Sequence, residues 1–334
     1  MMMRSTLRLL RRSLSGAPFP GSPFQRVQRL FDRSRLLVRA YYLLSIYFSA
    51  SIIPGLHNAV VDTQSWLFLW PVRWLAYVNV VVAADVLMLS WLILSLLAFA
   101  FTDSRTVRLL FSAVLLEVAA IANSSGGMNH AYHAWFWMSV LLVFLPTAHA
   151  TRARKMAFLS VIAGCQTLLL TFYTLAGFQK FGAGAAALQR DLTGNFSSSS
   201  LAATLADRML QTGTQPPLAQ VVIDHPWLSQ PLFVPIVFIQ MMSIIIAFRP
   251  RLHQAWGVAL IAFHIGTWLL MEILFIQHVA LLALFLVASP FAPRKLEWRQ
   301  ALDDIPVAGP ALSWVARQVR WRNPRLKPEL PSAE

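Results

Sequence analysis

The chain has 334 residues, of which 57% are hydrophobic and 13% are charged, and its formal net charge is +14. A soluble domain carries roughly 25% charged residues, so this composition excludes an ordinary soluble protein and indicates a multi-spanning helical membrane protein. The basic residues lie between apolar segments, so the positive charge does not predict nucleic-acid binding. The one cysteine, Cys165, excludes an internal disulfide and a thiolate metal site.

Residues 1–35 are predicted to form a basic N-terminal tail. Residues 1–39 contain nine arginines and a single acidic residue, Asp32. The apolar core and cleavage site of a secretory signal do not occur here. We predict a cytoplasmic tail in which 24–35 form a short amphipathic helix at the membrane surface. An organellar transit peptide, also rich in Arg and Ser, is an open alternative.

Eight apolar segments are predicted to cross a membrane as helices, since a span needs roughly 17–25 mainly apolar residues. They cover 36–54, 72–101, 106–122, 134–146, 156–181, 231–248, 256–271 and 273–291. The predicted transmembrane domain is therefore 36–291. Residues 182–230, rich in Gly, Ala, Ser and Thr, connect the fifth span to the sixth, and 292–334 form a polar, basic tail.

The distribution of basic residues predicts the orientation of the chain. Alternate connections, including both tails, carry 24 of the 28 Lys and Arg residues, and the other connections carry four. The positive-inside rule therefore predicts that both termini are cytoplasmic and that the number of spans is even. Eight spans fit, and six are possible if two segments are re-entrant. The predicted location is a bacterial cytoplasmic membrane, in contact with its lipids.

The segment 173–181, at the end of the fifth predicted span, contains a lysine. On a helix, Tyr173, Gly177 and Lys180 share one face because steps of four and three residues separate them. Lys180 has two interpretations. It either extends its ammonium to the lipid headgroups, or it faces the apolar interior, where burial disfavours the charged form and a neutral amine can act as a base.

The predicted orientation places many polar groups in the outer half of a helical bundle. They are His57, Asp85, Glu117, Asn129, His130, His133, Lys180, His264, Glu272 and His278. Ionisable residues in a membrane usually face the bundle interior, and the two carboxylates Asp85 and Glu117 would also suit a transporter. His130 and His133 have metal-ligand spacing on a helix, but no carboxylate or thiolate lies near them in sequence, and we predict no metal site.

Four short motifs occur along the predicted spans. Asn-His-Ala-Tyr at 129–132 precedes one span, Ala-Gly-Phe-Gln-Lys-Phe at 176–181 ends the next, Phe-His occurs at 263–264, and Ala-Ser-Pro-Phe closes the last at 288–291. In this order and spacing the chain resembles the HTTM family, the membrane core shared with vitamin K-dependent gamma-carboxylase. The resemblance covers most of residues 31–291.

The resemblance implies a specific chemistry. In the carboxylase, oxygen oxidises reduced vitamin K to an epoxide, and a strong base formed in that step removes a proton from the gamma carbon of a glutamate, which then takes up carbon dioxide. By this resemblance Lys180 is the base that deprotonates the hydroquinone, and His130 hydrogen-bonds an oxygen of the quinone or of the carbanion. Asn129, Tyr173 and His264 are expected to bind the substrate. The implied cofactor is a reduced quinone.

Three features depart from the family pattern. The carboxylase binds its protein substrate with a large lumenal domain, whereas this chain ends at residue 334, soon after its last predicted span. A tryptophan often follows the family's lysine, where 182–187 are Gly-Ala-Gly-Ala-Ala-Ala, and Gln240 stands where many members have an acidic residue. These departures argue against glutamate carboxylation and leave quinol oxidation as the expected activity. The alternatives are a non-catalytic protein that binds a lipid or quinone or supports a partner, and a transporter.

Overall fold

Helices dominate the described part of the chain, which in this computed structural model comprises residues 23–124, 130–147, 151–189, 196–293, 298–307 and 309. The α-helices are α1 (Pro23–Asp62), α2 (Val80–Ala100), α3 (Arg105–Ala122), α4 (His133–Leu142), α5 (Arg152–Gln189), α6 (Ser200–Thr212), α7 (Ala219–Asp224), α8 (Ser229–Ile246), α9 (His253–Met271), α10 (Ile276–Leu282) and α11 (Trp298–Asp303). A π-helical turn, Ala283–Val287, continues α10. The prediction of an all-α fold is confirmed.

Five helical segments are long and apolar enough to cross a membrane. They are Phe24–Asp62, Val80–Ala100, Arg152–Ala187, Pro226–Ile246 and Pro250–Met271, and two shorter apolar helices lie at His133–Leu142 and Ile276–Val287. The 18-residue α3 carries Arg105, Arg108 and Glu117. The described helices are therefore compatible with an integral membrane protein, although by length and composition five of them, rather than eight, qualify as spans.

The first helix is longer than the sequence predicts. α1 runs without interruption through the predicted surface helix at 24–35 and the predicted span at 36–54. Leu30 and Phe31 in its N-terminal part are buried, and the Phe31 ring packs edge-on against Phe158 of α5 with 5.1 Å between ring centroids. The apolar face predicted to lie on the membrane surface therefore packs against the protein itself.

The helix that carries Lys180 also extends past its predicted end. The sequence places the end of this span at residue 181, whereas α5 continues to Gln189. The added turns are rich in alanine, which has the highest helix propensity. They also pack against the Phe196 ring, since a Cβ built on Gly184 would lie 2.4 Å from that ring. Lys180 therefore lies within a helix and not at its end.

An aromatic core fixes the position of α4. Tyr41 of α1 stacks on Trp135 of α4 with 4.6 Å between ring centroids and 15° between ring planes. The Tyr41 hydroxyl donates to the Trp135 carbonyl at 2.8 Å, and the Trp135 indole N–H donates to Ser45 Oγ at 3.0 Å. Phe111 of α3 packs edge-on against Tyr41. Since aromatic pairs prefer such defined geometries, this core also positions the 3-10 turn His130–Tyr132 that leads into α4.

Basic residues from several connections gather at one end of the bundle. Lys155 at the start of α5 donates to Gln28 of α1, and Arg35 of α1 pairs with Asp103, between α2 and α3, at 3.5 Å. Further contacts at this end join Arg33 to the Pro290 carbonyl and both Arg249 and Arg251 to Asp304. The first turns of α1 and the segment that follows α10 therefore lie at the same end.

The predicted connection at 182–230 contains two packed helices. α6 and α7 share a small apolar core, whose buried members are Ala202, Leu205, Ala219 and Val222. Arg208 of α6 donates from Nε to the Met271 carbonyl at 2.7 Å, which fastens α6 to the last turn of α9. These two helices cover the end of α9 that lies away from Arg249 and Arg251.

The π-helical turn Ala283–Val287 is bonded to α5 and α9 through a buried network. Gln166 of α5 donates from Nε2 to the Phe285 carbonyl at 2.5 Å and to Ser289 Oγ at 2.9 Å. His253 of α9 contacts a backbone carbonyl of α8 through Nε2 at 3.0 Å and Ser289 Oγ through Nδ1 at 2.8 Å. Since a carbonyl only accepts, Nε2 carries the ring proton and Nδ1 accepts from the Ser289 hydroxyl.

Candidate functional site

α5 and α9 bring Tyr173 and His264 together inside the bundle. Both side chains are buried. The Tyr173 hydroxyl oxygen lies 2.7 Å from His264 Nε2, and the two rings meet edge-on with 5.8 Å between centroids. A buried polar group is destabilising unless it is hydrogen-bonded, so the Tyr173 hydroxyl and His264 Nε2 satisfy each other. Two of the residues predicted to bind substrate therefore contact each other.

A second imidazole, His278 of α10, extends this pair. Its ring centroid lies 5.7 Å from that of His264 and 6.4 Å from that of Tyr173. Phe275 packs against both imidazoles. Nδ1 of His264 and Nδ1 of His278 are buried and have no hydrogen-bond partner among the described residues. Two adjacent imidazoles therefore each offer a ring nitrogen to a further polar group.

Lys180 faces the neighbouring helix α8. Its Nζ lies 3.0 Å from Gln240 Oε1, its side chain is half-buried, and it is close enough to His264 to act on it electrostatically. Gly177, one turn earlier, marks a close approach of α5 and α8. A Cβ at Gly177 would lie 2.5 Å from the Met241 backbone nitrogen, so a larger residue would separate the two helices.

His130 lies in the exposed turn before α4. Its Nδ1 lies 3.4 Å from Nδ1 of His133. α10 packs against this turn and against α4, and both imidazoles are close enough to His278 to act on it electrostatically. Partial burial lowers the pKa of His133, and the adjacent His130 lowers it further. Asn129, the other predicted site residue of this motif, lies outside the described residues.

The carboxylates of the predicted spans have partners elsewhere in the bundle. Asp85 Oδ1 lies 2.7 Å from His57 Nδ1, and Glu117 Oε2 accepts from the Trp74 indole at 3.1 Å. These contacts involve α1, α2, α3 and the turn before α2, whereas the imidazoles described above belong to α4 with the turn before it, to α9 and to α10. Across the described ranges, no three His, Cys, Asp or Glu side chains are arranged to hold a metal ion.

The roles of His278 and Gln240 were not predicted. The sequence places each of them in a predicted span without linking it to His264 or Lys180, because such links depend on how helices pack. One local signal was available for the histidines. They flank the short break between the seventh and eighth predicted spans, where the chain reverses at Glu272 with a φ of 54°.

Comparison of the chain with known protein families, with curated proteins and with solved structures finds no match. The chemistry of the site is therefore inferred from its own side chains. An amine, an amide, a phenolic hydroxyl and imidazoles, set in an apolar bundle, can bind a small polar headgroup and exchange protons with it.

Proposed function

We propose that this chain is an integral membrane enzyme that oxidises a reduced quinone, in the manner implied by its resemblance to the HTTM family. The observation that carries the proposal is the position of Lys180, whose Nζ bonds to Gln240 Oε1 at 3.0 Å. A snorkelling lysine would extend to the headgroups, whereas this amine lies near buried His264. The Gln240 amide is neutral, so this hydrogen bond by itself orients the amine without requiring the ammonium form.

The side chains have distinct proposed roles. A hydroquinone supplies two O–H groups, and its oxidation by one O2 to the epoxide releases one water. Lys180 accepts a proton at Nζ from the substrate hydroxyl, and Gln240 orients the amine. Tyr173 and His264 bind a substrate oxygen, and the unpartnered Nδ1 of His264 fits that purpose. His130 is exposed in the turn before α4. Glutamate carboxylation is not part of the proposal.

The proposed topology has eight passes with both termini in the cytoplasm of a bacterial cell. The basic contacts at one end of the bundle, such as the Arg35–Asp103 pair, support this orientation under the positive-inside rule. Single-cysteine variants in a Cys165→Ser background test it. An impermeant maleimide should label His225→Cys in intact cells and Arg251→Cys only after lysis. The reverse pattern would contradict the orientation.

The activity is tested by oxygen consumption of the purified protein supplied with reduced naphthoquinones. We expect oxidation to the epoxide by the wild type and a loss of roughly 100-fold or more in Lys180→Ala, the contribution typical of a general base. Lys155→Ala is the matched control because Lys155 lies on the same helix, at the basic end. Equal rates in Lys180→Ala and the wild type would reject Lys180 as the base.

A second candidate function is the binding of a quinone or lipid without turnover. The Tyr173–His264 hydrogen bond favours it, because two groups that already bond to each other can line a binding site without taking part in a reaction. Quinone binding quenches tryptophan fluorescence, and the chain has 12 Trp. Quenching that needs His264 but occurs without oxygen consumption would support this candidate over the enzyme.

A further inference from the structure

We propose that His278 and His133 carry protons between the buried Tyr173–His264 pair and the exposed turn at His130. The path runs from α5 and α9 through α10 to the start of α4. This inference rests on the proposed function in one respect, the source of the proton. That source would be the substrate hydroxyl that Lys180 deprotonates.

The inner part of the path is a row of three hydroxyl and imidazole groups. Tyr173 and His264 share a hydrogen bond of 2.7 Å, and the His264 and His278 rings lie 5.7 Å apart between centroids. His264 uses Nε2 in this bond, and its Nδ1 has no partner among the residues described. An imidazole that accepts a proton on one nitrogen and releases it from the other needs both nitrogens accessible to partners.

The outer part of the path connects α10 to solvent. α10 packs against the turn His130–Tyr132 and against α4, which brings His278 within electrostatic range of His130 and His133. His130 and His133 approach within 3.4 Å through their Nδ1 atoms, and His130 is exposed. Burial and the neighbouring His130 lower the pKa of His133, which favours the neutral imidazole, the form that can accept a proton.

The transfer is balanced as a relay. One proton enters at His264, each imidazole releases a proton as it takes up another, and one proton leaves His130 for water. No electrons move. Lys180 lies at the inner end, close enough to act on His264 electrostatically. When the substrate proton passes from Lys180 to His264, the amine becomes neutral again, so the two side chains never hold this proton together.

Water exchange of the His264 ring proton tests the path. It is measured by NMR on the full-length protein with 15N-labelled histidine, of which the chain has eight. His278→Phe keeps an aromatic ring beside Tyr173 but cannot carry a proton, and we expect roughly tenfold slower exchange or more. Phe275→Leu is the matched control, because it alters packing against the same imidazoles without removing a proton carrier, and its exchange should match the wild type.

His133→Gln tests the same path from its outer end. If His278→Phe does not fold, the exchange measurement is made on His133→Gln instead. Exchange at the wild-type rate in the folded variants of both positions would overturn the path and leave the imidazoles as packing partners. The readout needs no quinone. His278-dependent exchange in a protein that consumes no oxygen would therefore support the path and reject only the proposed quinol oxidation.

Discussion

The Tyr173 hydroxyl and His264 Nε2 lie 2.7 Å apart although 91 residues separate them in the chain. The contact joins α5 to α9 on the side where His278 and Phe275 close around the imidazole. It therefore links the helix that carries Lys180 to the helix hairpin that carries His264 and His278.

Removing the Tyr173 hydroxyl should destabilise the protein. Tyr173→Phe leaves His264 Nε2 without this partner, and interhelical hydrogen bonds in membrane proteins are worth about 0.6–1.7 kcal/mol. We expect a lower Tm in detergent. Tyr47→Phe is the control because Tyr47 is an exposed tyrosine of α1. An equal Tm for Tyr173→Phe and the wild type would show that the bond contributes nothing to stability.

A methyl group at Gly177 should separate α5 from α8. In Gly177→Ala the new Cβ would lie 2.5 Å from the Met241 nitrogen, and overpacking costs about 1–3 kcal/mol. Gly164→Ala in the same helix meets nothing within 4 Å and should be neutral or stabilising by up to about 1 kcal/mol. Thermal unfolding of the two variants measures the difference. Similar stability in both would contradict the close approach.

A carboxylate in place of the Gln240 amide should weaken Lys180 in its proposed role as a base. In Gln240→Glu an anionic oxygen faces Lys180 Nζ, where the amide oxygen now lies at 3.0 Å. The ion pair holds the lysine as an ammonium ion, which cannot accept a proton. We expect oxygen consumption to fall by roughly tenfold or more, while the Tm is maintained. Gln240→Met, which removes the amide without adding charge, should lose less activity, and the opposite ranking would contradict this role.

Arg108 should be essential for stability at the basic end of α3. Its side chain is 1% exposed, and it donates to the carbonyls of Thr102 and Leu145, where α2 and α4 end. Arg108→Leu leaves both carbonyls without this donor and should cost about 3 kcal/mol, measured as a lower Tm. Exposed Arg105, one turn away, provides the control, and Arg105→Leu should change stability by less than about 0.5 kcal/mol. A similar loss of stability in Arg108→Leu and Arg105→Leu would contradict the role assigned to the buried Arg108 side chain.

Composition and hydropathy were enough to predict the all-α fold, because apolar segments of this length have few other ways to satisfy their backbone polar groups. Helical spacing also placed Tyr173, Gly177 and Lys180 towards one side of α5, and in the structure they contact α8 and α9. These features depend on local sequence alone.

The partners of those residues depend on tertiary packing. Nothing near Gln240 or His278 in the sequence specifies which helix each one meets. The helices α6 and α7 are too polar to resemble spans, and they are stabilised by contacts with the end of α9. The unbroken α1 likewise results from burial of Phe31 against α5.

The π-helical turn at Ala283–Val287 sets the rotational phase between the two halves of its helix. His278, on one side of the turn, points towards His264, and Ser289, beyond the other side, meets His253 and Gln166. A π-turn adds one residue to a helix, and one residue corresponds to about 100° of rotation. If a single residue were deleted here, the half with His278 and the half with Ser289 could not both keep their contacts. One of them would rotate away from its partners.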